Sequence, residues 1–126
     1  MSINSKKVQV VFDKIKENNQ DILDIVLTSY DGLSMVSTIN SETKDEAMSV
    51  MSAEFRTIFE KYRKVIGWKN FSNMSIQGNN GYIIMKHIND LGILVIITNK
   101  TSDIKTIKSN ISYITNSLLS AGIEDE

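Results

Sequence analysis

Few side chains in this sequence could take part in chemistry. His87 is the only histidine, and the chain contains no cysteine. Zinc sites and paired-histidine sites need several such ligands, so we expect no metal site and a structural or exposed role for His87. Adjacent carboxylates at Asp45-Glu46 lie at a predicted helix start, and those at Glu124-Asp125-Glu126 lie at a terminus, where the helix dipole and solvation account for them. The sequence therefore predicts no catalytic residue.

One glycine-containing segment could be taken for a phosphate-binding loop. Gly78-Asn79-Asn80-Gly81 consists of residues that tolerate positive φ. A P-loop also needs a lysine and a helix directly after it, and neither follows here. The segment is therefore predicted to be a hairpin turn. We expect no bound nucleotide, no cofactor and no enzymatic activity.

The composition limits the remaining classes of function. The chain has 126 residues, with 14 Lys and Arg against 15 Asp and Glu. This length makes one domain, and the charge balance lacks the basic excess that nucleic-acid binding requires. The longest apolar run, Ile93 to Ile97, is too short to cross a bilayer, and the N-terminus lacks an apolar signal core. We expect no nucleic-acid binding, no membrane insertion and a cytoplasmic location, which the absence of cysteine also fits.

The spacing of apolar residues predicts three helices and five strands. The predicted helices span Ile3 to Lys16, Lys44 to Ile66, and a last segment that begins near Ser102 or Asp103 and ends at Gly122. The predicted strands span Ile22 to Thr28, Leu33 to Ile39, Phe71 to Gln77, Gly81 to Ile88 and Leu91 to Thr98. The first and last strands are almost continuously apolar. We therefore expect them at the centre of a sheet and the second strand near its edge.

The middle helix carries the widest apolar stripe. A capping box at Thr43 to Glu46 predicts its start, and Gly67 is suited to close its end in the left-handed conformation. On a helical wheel the stripe spans about 120°, and we expect it to cover one face of the sheet. The stripe comprises Ala47, Met51, Phe55, Ile58, Phe59, Tyr62, Val65 and Ile66, and the opposite side carries Asp45, Glu46, Arg56, Glu60, Arg63 and Lys64.

A short hairpin motif links the first two strands. Asp31-Gly32 suits a two-residue type I′ turn, because both central positions of that turn need positive φ. The segment Ser29-Tyr30-Asp31-Gly32-Leu33 resembles the first hairpin of the roadblock family, which includes GTPase regulators and dynein light chains. The predicted order α-β-β-α-β-β-β-α resembles that family over nearly the whole chain. Profilin-like, longin and PAS-type domains also combine a small antiparallel sheet with a few helices, and they remain alternatives.

The resemblance implies an α+β fold in a single domain. Roadblock domains have a five-stranded antiparallel sheet, with the middle helix on one face and the two terminal helices on the other. We expect residues 1–126 to form one roadblock-like domain, with a core at about 21–121 and an acidic tail at 122–126. Asp31 and Gly32 are expected to serve the turn rather than a binding site.

The resemblance also implies a dimer, in which the middle helices pair and the sheet continues across two subunits. The third predicted strand contains no proline or lysine, so its edge is open to strand pairing. The residues expected at the interface are Met48, Phe55, Phe59, Ile66, Phe71, Met74 and Ile76, and the alternative is that they are ordinary core. The partner is either a second copy or a paralogue.

Dimers of the family bind small Ras-like GTPases or tether cargo to dynein. The resemblance therefore implies a non-enzymatic regulator or scaffold of a small GTPase. The charged flank of the middle helix is expected to set charge complementarity, although such a run is more often a solvated face. That flank comprises Arg56, Glu60, Arg63 and Lys64. The alternative functions are a dynein-type light-chain adaptor and a small-ligand sensor domain.

Overall fold

Five strands form one antiparallel sheet that lies between two helical layers. The computed structural model describes residues 2–100 and 104–124. The helices are α1 (Ser5–Asn18), α2 (Glu42–Tyr62) and α3 (Ile104–Gly122). The strands are β1 (Ser2–Ile3), β2 (Ile22–Thr28), β3 (Ser34–Ser37), β4 (Asn73–Gly78), β5 (Gly81–Ile88), β6 (Gly92–Thr98) and β7 (Ile123–Glu124). The expected helix start at Ser102 or Asp103 lies outside the described residues.

The strands follow the order β3-β2-β6-β5-β4 across the sheet. The predicted fold class is confirmed, and the continuously apolar β2 and β6 lie inside the sheet as expected. The more mixed β3 and β4 form its two edges. β1 and β7 pair with each other in a separate two-stranded sheet, which the sequence patterns did not indicate. Part of the expected acidic tail is thus joined to the start of the chain.

The two faces of the sheet carry unequal amounts of apolar packing. α1 and α3 together cover one face and bury a large cluster with the sheet. The largest fully buried side chains of that cluster are Phe12, Ile25, Leu27, Leu94, Ile96, Ile114 and Leu118. On the other face, α2 lies alone over a smaller buried cluster of Val26, Met85, Ile93 and Val95. The expected division of the helices between the faces is confirmed.

A buried carboxylate joins both helical layers to the sheet. Asp24 on β2 pairs with Lys16 of α1 at 3.0 Å and with Lys44 of α2 at 3.3 Å. It also accepts a hydrogen bond of 2.8 Å from the Thr38 hydroxyl. Burial acts to raise the pKa of Asp24, but the hydrogen bonds from Lys16, Thr38 and Lys44 outweigh it and lower that pKa. Asp24 is therefore a charged link between the layers rather than a gap in an apolar strand.

Two helices begin at residues other than the predicted Ile3 and Lys44, because their N-terminal caps lie elsewhere. α1 begins after Asn4, whose side chain accepts a hydrogen bond of 3.1 Å from the Lys7 amide. α2 begins after Ser41, because the Ser41 hydroxyl accepts a hydrogen bond of 3.2 Å from the Lys44 amide. The predicted cap at Thr43 is therefore wrong. Ser41 is at least as good a cap as Thr43, and with it the helix begins two residues earlier, at Glu42.

The end of α2 matches the expected role of Gly67. The regular helix ends at Tyr62, and turns continue to Gly67, which has a φ of 77°. The Gly67 amide donates to the Lys64 carbonyl at 3.2 Å, and the Trp68 amide donates to the Arg63 carbonyl at 2.9 Å. This pair of hydrogen bonds is a Schellman motif. The predicted left-handed Gly67 is confirmed.

The β2–β3 hairpin has its left-handed residue at Gly32, with a φ of 87°. Among the described residues, Asn89 is the only non-glycine residue with positive φ, so the predicted type I′ turn with positive φ at Asp31 is wrong. The Gly32 amide donates to the Ser29 carbonyl at 3.1 Å, and the Ser29 amide donates to the Leu33 carbonyl at 2.9 Å. These bonds close a three-residue loop with glycine at its left-handed position. The regular strand β3 runs only from Ser34 to Ser37, so it is shorter than the predicted Leu33 to Ile39.

Gly32→Ala is expected to lower the free energy of unfolding by about 1–2 kcal/mol, because a side chain is strained at positive φ. A Cβ there would lie 3.4 Å from the Val50 Cα and 3.5 Å from the Ala53 Cβ, so space is adequate and strain dominates. Gly78→Ala is the matched control, since its Cβ would meet nothing closer than 4.0 Å and its φ is not positive. Urea unfolding measures both variants, and an equal loss in the two would contradict the prediction.

Candidate functional site

Small side chains form the side of α2 that faces the sheet. Ser49, Ser52 and Ala53 are the buried residues of α2, and Ser49 is completely inaccessible to solvent. Their i, i+3, i+4 spacing places them on one side of the helix. The expectation that the wide apolar stripe covers the sheet is therefore wrong for most of the stripe. Only its flank, at Phe55, packs on the sheet cluster.

The side of α2 opposite the sheet is apolar and exposed. Ile58 and Tyr62 are 56% and 55% exposed, and Val65 and Ile66, just beyond the helix end, are 84% and 56% exposed. We call these four residues the outer α2 face. Large exposed apolar side chains that lie this close together in the sequence are typical of a surface that another molecule covers.

The charges predicted to bind a partner do not form one free flank. The guanidinium of Arg56 lies 4.0 Å from the centroid of the Tyr30 ring. Arg63 and Glu60 form an ion pair of 2.8 Å and are both partly buried. Lys64 is exposed beyond the helix end. Three of the four predicted residues therefore make contacts within the chain.

An aromatic chain connects the hairpin to the end of α2. The rings of Tyr30 and His87 stack with centroids 5.4 Å apart, and Phe71 packs edge-on against His87 at 5.9 Å and against Phe59 at 5.4 Å. Trp68 follows at 6.1 Å from Phe59.

Burial raises the pKa of Tyr30 to about 12. Burial and the Arg56 charge together lower the pKa of His87.

A second apolar surface lies on the sheet beside α2. Met74 and Ile76 of β4 align with Met85 and Ile83 of β5. Phe55, Met74, Ile76 and Ile83 are all only partly buried and pack against the same cluster. α2 contacts mainly β2, β3 and β6, so it leaves this part of the sheet open. We call Phe55, Met74, Ile76 and Ile83 the β4 surface.

The residues predicted at a dimer interface fall into separate places in the single chain. Phe55, Met74 and Ile76 lie together in the β4 surface. Phe59 and Phe71 belong to the aromatic chain, where Phe71 is 8% exposed, and Phe71 precedes β4 rather than starting it. Ile66 belongs to the outer α2 face, and Met48 is half-buried on α2. β4 itself lies at the sheet edge, as strand pairing between subunits requires.

Solved structures share this arrangement of sheet and helices. MglB of Myxococcus xanthus superposes with a TM-score of 0.81 at 16% identity, over 93% of this chain and 88% of that chain. A roadblock/LC7 domain from Streptomyces avermitilis superposes with a TM-score of 0.79 at 10% identity, over 89% and 94%. The chain has a roadblock-type fold. An MglB with a tetrameric arrangement also shares the roadblock-type fold, with a TM-score of 0.78 at 12% identity over 92% and 88%.

The roadblock-type fold confirms the resemblance carried by the hairpin motif and the element order. Identities of 10% to 16% establish a common architecture and leave the function to be argued from the surface. No family model matches the chain, and no curated protein matches it significantly. The two exposed apolar surfaces of the roadblock-type fold are the features from which a function can be argued.

The sequence carries a signal for the orientation of α2 in the roadblock-type fold that the apolar stripe alone does not give. Ser49, Ser52 and Ala53 place three small side chains on one side of a helix whose other sides carry larger ones. Such a side suits close approach to a sheet, because large side chains hold a helix further away.

Within the described part of the chain, no helix is long and apolar enough to cross a membrane.

The stability of the protein is expected to rise with pH through the range in which His87 titrates. Folding lowers the pKa of His87 from an unfolded value of about 6.5, so protonation favours the unfolded chain. The stabilising contribution of neutral His87 is complete above the unfolded pKa, and it is lost as the pH falls through the lowered pKa of the folded protein. Urea unfolding between about pH 5.5 and 8 measures this slope, and His87→Gln should flatten it. Identical slopes for the two proteins would contradict the prediction.

Proposed function

We propose that this chain is a non-enzymatic, dimeric regulator or scaffold of a small Ras-like GTPase. The roadblock-type fold supports the class of function, and the family resemblance supports the partner. The observation that carries the proposal is the pair of exposed apolar surfaces, the β4 surface and the outer α2 face. In this proposal the β4 surface pairs with a second subunit, and the outer α2 face binds the GTPase.

The edge position of β4 supports its role in a dimer. β4 pairs with β5 on one side, and no strand of the described chain lies on its other side. Its residues, from Asn73 to Gly78, include no charged side chain and no proline, which are the usual protections of a sheet edge. Pairing two β4 edges would satisfy their backbone groups and bring the two β4 surfaces together. A stable dimer needs at least roughly 1,200 Å² of buried surface, which an edge strand and a helix flank can supply.

The outer α2 face adjoins the β4 surface. Phe55 lies roughly 60° from Ile58 around the helix, at about 100° per residue. Two α2 helices brought together by β4 pairing would therefore present their outer faces as one apolar platform. Arg56 and Arg63 are held by Tyr30 and Glu60, so neither is a mobile arginine that could enter a GTPase active site. The regulation we propose is indirect.

Met74→Lys is expected to weaken the dimer at least about a hundredfold, because a charge would be buried without a partner in the β4 surface. Light scattering at micromolar concentration should detect a dimer for the wild type and a monomer for this variant. Ser75→Lys is the matched control, since Ser75 is exposed and points to the opposite face of the same strand. A monomeric wild type, or an equal effect of the two lysines, would contradict the proposed interface.

Ile58→Asp is expected to abolish capture of a small GTPase while leaving the dimer intact. The assay is a pull-down with small GTPases of the same organism, each loaded with GDP or with a GTP analogue. Val10→Asp is the control, because Val10 on α1 is 53% exposed on the other side of the molecule. Failure of the wild type to capture any GTPase in either nucleotide state would contradict the proposed function.

A further inference from the structure

A groove runs along the flank of α2 that faces the β2–β3 hairpin. It consists of two adjoining depressions, of about 540 Å³ and about 360 Å³, that share Asp31 and Val50 as lining residues. The larger one extends to Ile58 of α2, and the smaller one extends to Glu42. We call the two depressions together the hairpin groove. Along the helix it is roughly 24 Å long, at about 1.5 Å per residue.

The charges in the hairpin groove are of one sign. Its lining includes no lysine or arginine, and its acidic residues are Asp31, Glu42, Asp45, Glu46 and Glu54. The chain as a whole has 14 basic and 15 acidic residues, so this concentration of carboxylates is local. The ion pairs of the described residues use Asp24 and Glu60 as their acidic partners. The carboxylates of the groove are thus without a basic partner in the part of the chain that the structure describes.

Ordinary explanations account for only some of these carboxylates. Glu42 and Asp45 lie in the first turn of α2, where they complement the helix dipole, and Asp45 accepts a hydrogen bond of 3.0 Å from Ser34. Asp31 lies in the hairpin and Glu54 lies about three turns into the helix, beyond the range of that effect. Among the described residues, no group of three or more acidic, His or Cys side chains could hold a metal ion.

The hairpin groove also has exposed apolar side chains. Val50 is 41% exposed, Ile58 is 56% exposed, and Leu33 on the hairpin is 68% exposed. Apolar surface between carboxylates is complementary to a ligand that carries an apolar side chain beside positive charge. We propose that the hairpin groove binds a segment of a partner protein in which Lys or Arg side chains flank a large apolar side chain. Anionic membranes and nucleic acids carry the same sign of charge as the groove and are disfavoured.

This binding site goes beyond the proposed function and does not depend on it. Val50 and Glu54 lie on the flank of α2 away from Phe55, so a dimer paired through β4 leaves the groove accessible. The basic segment need not belong to a GTPase. Ile58 belongs to both the hairpin groove and the outer α2 face, whereas Val50 and Glu54 belong to the groove alone. Glu54→Lys therefore separates loss of peptide binding from loss of GTPase capture.

Selection of random peptides of about 12 residues against the full chain tests the proposal. We expect the enriched peptides to carry Lys or Arg close to a large apolar side chain. One enriched peptide is then synthesised, and its affinity is measured by fluorescence anisotropy. Glu54→Lys should weaken binding at least about tenfold, because it replaces an attraction with a repulsion. Raising the salt concentration from about 0.05 M to 0.5 M should also weaken binding, since the charges are exposed.

Glu17→Lys is the matched control, because Glu17 is exposed on α1 and the charge change is the same. It should bind the peptide as the wild type does. Val50→Ser removes apolar surface without changing charge, and it should also weaken binding. The melting temperatures of the variants confirm that they are folded. Enrichment of uncharged or acidic peptides, or equal affinities of Glu54→Lys and Glu17→Lys, would overturn the proposal.

Discussion

The close contact between α2 and the sheet determines which surfaces this domain presents. Ser49, Ser52 and Ala53 occupy the contact, and larger side chains there would hold the helix away from the sheet. Since these small residues face inward, the large apolar residues of the same helix must face outward or sideways. The outer α2 face is therefore a consequence of the close packing. All four of its side chains are more than half exposed in the single chain.

The same orientation of α2 explains why a positively charged side chain lies on the side of the helix that faces the sheet. Arg56 lies on the sheet side of the helix, where an aliphatic residue would be expected, and it packs against the face of Tyr30. Tyr30 stacks on His87 and so connects the hairpin to the aromatic chain. The hairpin motif thus contributes more than a turn, because its tyrosine provides the surface on which Arg56 rests. A charged side chain can be half-buried there because its guanidinium meets an aromatic ring rather than an aliphatic core.

The sequence predicted the order of elements and the positions of the strands, because continuous apolar runs report burial on both faces of a strand. It predicted which residues of α2 form an apolar stripe, but it did not predict that most of this stripe faces away from the sheet. Amphipathicity cannot distinguish a helix side that meets its own sheet from one that meets another molecule. The predicted type I′ turn at Asp31-Gly32 is wrong for a related reason, since glycine after aspartate suits both a two-residue and a three-residue loop. The choice between the loops depends on register, which short motifs do not specify.

The two flanks of α2 differ in chemistry, and this difference constrains how partners can be arranged. The flank toward β4 is apolar at Phe55, whereas the flank toward the hairpin carries Glu54 and faces Asp31. Like charges repel when they are brought together and dehydrated, so a second copy is better accommodated on the apolar flank. Pairing on that side would place the two acidic flanks at the outside of the joined helices. The apolar platform would then lie between two acidic margins, and a partner that fits it would be apolar at its centre and basic at its edges.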